Sequence, residues 1–268
     1  MHGLGNDFVL LDGVTQEINL NQQNIRYLAH RKFGIGCDQV LLAQSSAQED
    51  IDFRYRIFNS DGSEVEQCGN GARCFAQFVR RQGLTNKNIM NVETLAGVFT
   101  LRVRDESNVT VDMGEPEFNS SKIPFNEVNA DNVYHVTIDD QPIEFSVVSM
   151  GNPHAVVFVD DVNAVDVQSV GSQLEVDNRF PNRTNVQFVQ VKDRHNITQR
   201  IFERGVGETM ASGSGACAAA AVAQQKKSID SSVSISMPGG TLDIHRLEDG
   251  CLQMTGPTEY SFEGSINL

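Results

Sequence analysis

No stretch of this sequence approaches the ~18 consecutive apolar residues of a membrane-spanning helix. The longest apolar runs, such as Cys217–Ala223, are far shorter, so no membrane partner is expected. The opening MHGLGNDF lacks the basic segment and apolar run of a secretory leader, which makes the cytoplasm the expected compartment. Basic residues are scarce: 21 Lys and Arg stand against 35 Asp and Glu, a net charge of −14 without any basic tract. A chain this acidic repels phosphate backbones, which argues against nucleic acid as a partner. Any anionic ligand has to be met by positive potential gathered locally. The five cysteines, at 37, 68, 74, 217 and 251, are odd in number and scattered, which disfavours a disulfide framework. There is no close CxxC pair, no HExxH and no GxxxxGK[ST], so neither a zinc site nor a P-loop is expected. Cys37, Cys74, Cys217 and Cys251 read as small buried hydrophobes.

What the sequence does contain is a repeat. The segments RIFNSDGSEVEQCGNGARCFA (56–76) and RIFERGVGETMASGSGACAAA (200–220) share eight identities in 21 positions at a constant offset of 144. Chance at ordinary composition gives roughly one or two. Fainter echoes keep the same order: Gly5-Asn6 with Gly151-Asn152, Gln39 with Asn185, and 91–97 with 233–239. A period this long is a domain duplication. The junction falls in 114–127, which carries Pro116, Pro124 and many turn formers. Two lobes are therefore expected, 1–113 and 114–256, with the tail, about 257–268, returning to the first.

Short β-rich runs bounded by Gly, Asn, Asp or Pro predict strands at 40–43, 53–58, 99–103, 109–113, 143–149, 155–159, 186–191, 197–202 and 233–237. Helices are predicted from about 70 through Arg80 and from about 214 through Lys227, the second with the Ala-rich body CAAAAVA. The expected class is α+β: two lobes, each a mixed, mostly antiparallel sheet wrapped around a central helix.

Each helix follows a strand ending in RIF and a loop of about ten residues that closes on (Cys/Ser)-Gly-x-Gly-Ala. Glycines let the backbone turn sharply and let a ligand approach the amides. The first helical turn offers unpaired N–H groups and the positive end of the dipole, a ready site for a carboxylate. GSGACA at 213–218 also matches GxGxxA, but a dinucleotide turn follows its strand almost at once, whereas here a long polar loop intervenes. Cys68 precedes the first helix, where the helix start lowers a thiol pKa from about 8.5 toward neutrality. Its repeat equivalent is Ser212. Two equivalent groups, one per lobe, suggest an active site at the lobe interface. That arrangement suits inversion of a stereocentre, in which one base takes a proton from one face and a conjugate acid returns one on the other. Helix starts aimed at the adjacent carboxylate would stabilise the carbanion.

MHGLGNDF, NSDGSEVEQCGNGARC, MGNPH, RTNVQF and ERGVGETMASGSGAC, in that order, make the chain resemble diaminopimelate epimerase over essentially its whole length. The resemblance implies an isomerase of LL- and meso-diaminopimelate that serves lysine and peptidoglycan synthesis. It also implies two cysteines as paired acid and base, no pyridoxal phosphate, no metal and no other cofactor, and a homodimer. By motif, Cys68 matches the first catalytic cysteine, and Gly69 and Asn70 the carboxylate-binding helix start. Asn6, Gln39, Asn59, Asn152 and Asn185 match substrate-binding positions. Glu203 and Arg204 match residues that grip the amino-carboxylate ends, and Gly213 and Ser214 supply the second helix start. His154 and Glu203 are implied to tune the protonation of the catalytic pair.

The family pattern has a second catalytic cysteine where this chain has Ser212. Cys217, five residues on and inside the helix, is no substitute. A hydroxyl is a far poorer base than a thiol near neutral pH, so impaired two-base epimerisation with retained binding is expected. Three readings of Ser212 stay open: an engineered replacement, a slowed or non-catalytic amino-acid-binding paralogue, and a one-base lyase or dehydratase akin to the proline racemase superfamily.

Overall fold

The structure, a computed structural model, describes residues 1–66 and 68–268. The chain is α+β and sheet-dominated. It divides into two compact units, Met1–Asp112 with Thr255–Leu268, and Met113–Met254.

The first unit runs β1 (His2–Gly3), β2 (Asn6–Asp12), α1 (Gln22–Ala29), β3 (Gln39–Gln44), β4 (Phe53–Asn59), β5 (Glu64–Val65), α2 (Gly69–Arg81), β6 (Ile89–Thr94), β7 (Gly97–Val103) and β8 (Asn108–Gly114). Strand β3 lies parallel to β2 and antiparallel to β4; β4 forms a hairpin with β5 and pairs in parallel with β6, and β6–β7–β8 continue as a meander. The run Val40–Leu41–Leu42–Ala43 is uninterruptedly apolar because both faces of β3 are covered. Val40 and Leu42 pack with Ile25, Leu28 and Ala29 of α1. Leu41 lies against α2 on the other face, its Cδ1 3.3 Å from where a Cβ on Gly71 would sit.

The second unit repeats this order: β9 (Tyr134–Ile138), β10 (Gln141–Ser149), β11 (Pro153–Phe158), α3 (Val167–Glu175), β12 (Asn185–Val191), β13 (Asn196–Glu203), β14 (Gly207–Thr209), α4 (Gly213–Gln225), β15 (Ser232–Met237) and β16 (Gly240–Arg246), and it begins β17 (Leu252–Pro257), whose last three residues belong to the first unit. Strand β12 is parallel to β11 and antiparallel to β13, β13 pairs with β14 and in parallel with β15, and β15 turns back into β16. Even the registers repeat. Val40 opposes Phe58 as Val186 opposes Phe202, and Phe58 opposes Glu64 as Phe202 opposes Glu208. Helix α4 is buried all round from Gly215 to Ala223, which explains its Ala-rich composition: only small side chains let strands approach every side.

The sequence reading places no element on α1, α3, β2, β6, β9, β16 or β17. The two missed helices are short and begin at side-chain caps, Asn21 accepting from the Asn24 N–H and Asp166 from the Ser169 N–H. Strand β11 ends at Phe158, so Val159, expected as its last residue, lies outside it. Cys37, Cys74 and Cys217 are buried, whereas Cys251 is only half-buried, which corrects its reading as a core residue.

Candidate functional site

Both repeated loops deliver the same device. Cys68 is the N-cap of α2, and its Sγ accepts from the Gly71 N–H at 3.4 Å. Ser212 is the N-cap of α4, and its Oγ accepts from the Gly215 N–H at 3.3 Å. Each cap residue is extended, and each helix begins on a glycine. The loops are held by matching forks. Arg56 donates twice to Glu64, at 2.8 and 2.7 Å, and Arg200 twice to Glu208, at 2.7 and 3.0 Å. Both pairs tie the strand before the loop to the short strand inside it. Gly71 and Gly215 let each helix press on its sheet: a Cβ at 71 would lie 2.4 Å from Tyr55 Oη, and one at 215 would lie 2.5 Å from Ile201 Cδ1.

In the first unit the helix start is enclosed by polar side chains. Asn6 Oδ1 accepts from Cys68 Sγ at 3.8 Å and from Asn70 Nδ2 at 3.4 Å, while Asn6 Nδ2 donates to Asp38 Oδ2 at 2.9 Å. Asn70 Oδ1 accepts from Arg73, a fully buried arginine, at 3.0 Å. Asp38 is tied by its other oxygen to Arg31, which also grips Asp7 with two hydrogen bonds. Partial burial pushes the Asp7 carboxyl up, but hydrogen bonds from Arg31 and the Asp38 N–H outweigh it and hold it below the usual carboxylate range. Burial drives the thiols of Cys37 and Cys74 up to about 11 and about 12, so neither supplies thiolate near neutral pH. Gln39 Nε2 donates to Asn59 Oδ1 at 3.0 Å, across the β3–β4 register. Its Oε1 is buried with no hydrogen-bond partner.

In the second unit His154, the second residue of β11, lies beside Asn185 of β12. His154 is fully buried, and its Nε2 lies 2.9 Å from Asn152 Oδ1. Burial lowers its pKa to about 3; contact with Gln187 opposes the shift and the Arg204 charge adds to it. This imidazole is neutral at neutral pH. The amide of Asn185 is committed to backbone, donating to the Pro153 carbonyl at 3.2 Å and accepting from the Arg204 N–H at 3.0 Å. Glu203 accepts from the Thr209 hydroxyl at 2.5 Å.

The structure thus brings Cys68, Gly69, Asn70 and Asn6 together at one helix start, with Gln39 and Asn59 paired at adjacent strand ends. It brings Asn152, His154, Asn185 and Arg204 together in the other unit, where Ser212, Gly213 and Ser214 form the start of α4. Sequence reasoning missed Asp38, Arg73 and Thr209. Asp38 directly precedes Gln39 and Arg73 lies inside GNGARC, so adjacency to the named residues was the available signal. Among the described residues no cluster of His, Cys, Asp or Glu is arranged to hold a metal, and no helix is long and apolar enough to cross a membrane.

A family model described as diaminopimelate epimerase matches residues 1–119 and 146–261. Among solved structures, the chain is similar to a hydroxyproline epimerase from Agrobacterium vitis with bound trans-4-hydroxy-L-proline, at 14% identity and a TM-score of 0.70, covering 96% of this chain and 86% of that one. It is also similar to a phenazine biosynthesis protein of the PhzF family from Bacillus anthracis, at 17% identity and a TM-score of 0.66, covering 96% and 91%. A predicted epimerase from Pseudomonas aeruginosa matches at 19% identity and a TM-score of 0.67, covering 94% and 90%. At these identities the likeness concerns the fold.

Proposed function

The chain belongs to the diaminopimelate epimerase family, and from that premise we propose that it binds diaminopimelate and moves the proton on one of its α-carbons without a cofactor. The observation that carries the reading is the twice-built helix start, with residues 68 and 212 in the same capping position of equivalent helices. Each start offers N–H groups to a carboxylate. On this reading the thiolate of Cys68 takes the α-proton, forming S–H, and the electron pair left on carbon spreads into the carboxylate held by the helix N–H groups. Gln39 supports an amine-bearing substrate, because its buried, unpartnered Oε1 is an acceptor that an ammonium group satisfies.

Full inversion then needs residue 212 to deliver a proton on the opposite face. Ser212 is a poor acid and base near neutrality. The Cys68 S–H can only return its proton to the face it came from, which regenerates the starting isomer. Isomer interconversion is therefore expected to be slow and α-proton exchange on one isomer to persist.

The test is incubation with LL- and meso-diaminopimelate in deuterated water, for this chain and for Ser212→Cys. Label entering one isomer without inversion, and interconversion restored by the cysteine, are expected. No exchange in either protein, with ligand-dependent stabilisation intact, would leave a binding protein. An elimination product would point to a lyase.

A further inference from the structure

The hydrogen-bond chain beside Cys68 has a fixed polarity. At one end stands Arg73, which can only donate; it donates to Asn70 Oδ1 at 3.0 Å, so Asn70 must turn its Nδ2 the other way. Asn70 Nδ2 points at Asn6 Oδ1, 3.4 Å away. At the far end stands Asp38, which when ionised can only accept; it accepts a hydrogen bond from Asn6 Nδ2 at 2.9 Å. Asn6 is thus locked by a pure donor and a pure acceptor, with its carbonyl oxygen turned toward the Cys68 sulfur at 3.8 Å. A flipped Asn6 would set its NH2 against Asn70 Nδ2 and its oxygen against the Asp38 carboxylate.

We propose that Asp38 is a positioning residue for Cys68, holding the Asn6 carbonyl oxygen on the sulfur so that the protonated thiol is favoured. A carbonyl oxygen accepts from S–H but repels S⁻, whereas the Gly71 N–H, which also reaches the sulfur, favours S⁻. The two contacts oppose each other. Asp38 acts through Asn6 and itself bonds Arg31 and the Asp7 N–H. The other titratable or charged groups on the elements packed here include the Met1 ammonium and His2 at the start of β1, Tyr55 of β4, Cys74 and Arg73 of α2, and Asp7, whose charge Arg31 offsets. The inference rests on the functional reading only in taking Cys68 as the proton-transfer group.

The experiment is the pH dependence of Cys68 alkylation by iodoacetamide without substrate, with the modified peptide quantified by mass spectrometry so that Cys251 does not interfere. Asn6→Ala removes the acceptor and is expected to lower the Cys68 pKa by about one unit. Alkylation below that pKa then runs about tenfold faster, as the thiolate fraction dictates. Asp38→Asn removes the charge but keeps an acceptor for Asn6; Asp38→Ala removes both. The Ala variant is expected to shift the pKa clearly further than the Asn variant, and that difference should vanish in an Asn6→Ala background. Equal shifts for the two Asp38 variants would mean charge alone acts and would overturn the proposal. An unchanged or raised pKa in Asn6→Ala overturns it as well, and decides alone should Asp38→Ala not fold. Turnover of diaminopimelate plays no part in this readout, so the two readings fail separately.

Discussion

The two units share a scaffold and differ in what they present at the start of its central helix. Both keep the side-chain cap, the glycine pressed on the sheet and the Arg–Glu fork across the loop hairpin. These devices set the backbone, and duplication has preserved them at a constant spacing. The polar furniture has diverged. Asn70, Arg73 and Asp38 of the first unit correspond to Ser214, Cys217 and Thr184 of the second, so the fixed amide chain has no counterpart there. Conversely, His154 of β11 takes the place of Phe8 in β2, as the parallel pairings with Asn185 and Gln39 show. One unit carries a thiol under an aimed carbonyl; the other carries a hydroxyl at its helix start and a buried neutral imidazole on β11. A repeated fold fixes where reactive groups stand, and the side chains behind them fix what those groups can do.

The largest effect should come from making the two caps chemically alike. Ser212→Cys is expected to raise LL-to-meso interconversion by about 10²-fold or more, the scale of a positioned acid–base group, while one-isomer exchange changes little. A stopped assay with chiral separation reads both. An unchanged interconversion rate would mean that the serine is not what separates this chain from a two-base enzyme.

Next in size is an acid sensitivity that begins at higher pH in the second unit than in the first. His154 has a folded pKa of about 3 against about 6.5 for an unfolded histidine. Between those values the unfolded chain binds more protons than the folded one, so stability falls as pH drops from 6.5 toward 3 and is flat above 6.5 on this account. Phe8 gives the first unit no such dependence. Hydrogen exchange across that pH range should show β11 and β12 losing protection before β2 and β3. His154→Phe should remove that loss, whatever it costs at pH 7.

The sequence exposed the parts of this comparison whose cause is local. Gly-x-Gly before an apolar helical run marks the starts of α2 and α4, and the β-rich runs on RIF mark β4 and β13, because cap, glycine and periodicity all act within a few residues. Residues Asn6–Asp12 were not read as β2, although FVLL is apolar, because its partner β3 lies some 31 residues on and only the pairing reveals its role. Asp38 escaped notice for the same reason: its meaning is a contact with Asn6 that exists once β2 and β3 are aligned. Arg73 drew no assignment, since nothing local says that it is completely buried. The half-buried Cys251 went the other way, a small apolar side chain placed in a turn before β17 rather than in the core.

Smaller effects test whether the shared scaffold is equally tight in both units. Alanine at 71 must displace the hydroxyl of Tyr55, a rigid and fully buried ring. Alanine at 215 meets the terminal Cδ1 of Ile201, which can rotate away. Overpacking costs about 1–3 kcal/mol, and Gly71→Ala should lie at the upper end with Gly215→Ala at the lower. Comparable losses in denaturant titrations would mean that both sheets yield alike.

The finest distinction concerns the caps themselves. Oxygen is a better acceptor than sulfur, so the Ser212 hydroxyl should do more for α4 than the Cys68 thiol does for α2. Ser212→Ala is expected to cost ~0.5–2 kcal/mol, the usual range for a lost serine cap, and Cys68→Ala less. The two helices lie in different units and need not unfold together. Amide exchange of Gly215 and Gly71, the N–H groups that the caps receive, therefore reads each loss where it occurs. Faster exchange at Gly71 in Cys68→Ala than at Gly215 in Ser212→Ala would reverse the ranking. It would mean that the thiol is the stronger acceptor at its helix start, as a thiolate would be, and that Cys68 spends more time ionised than an aimed carbonyl oxygen permits.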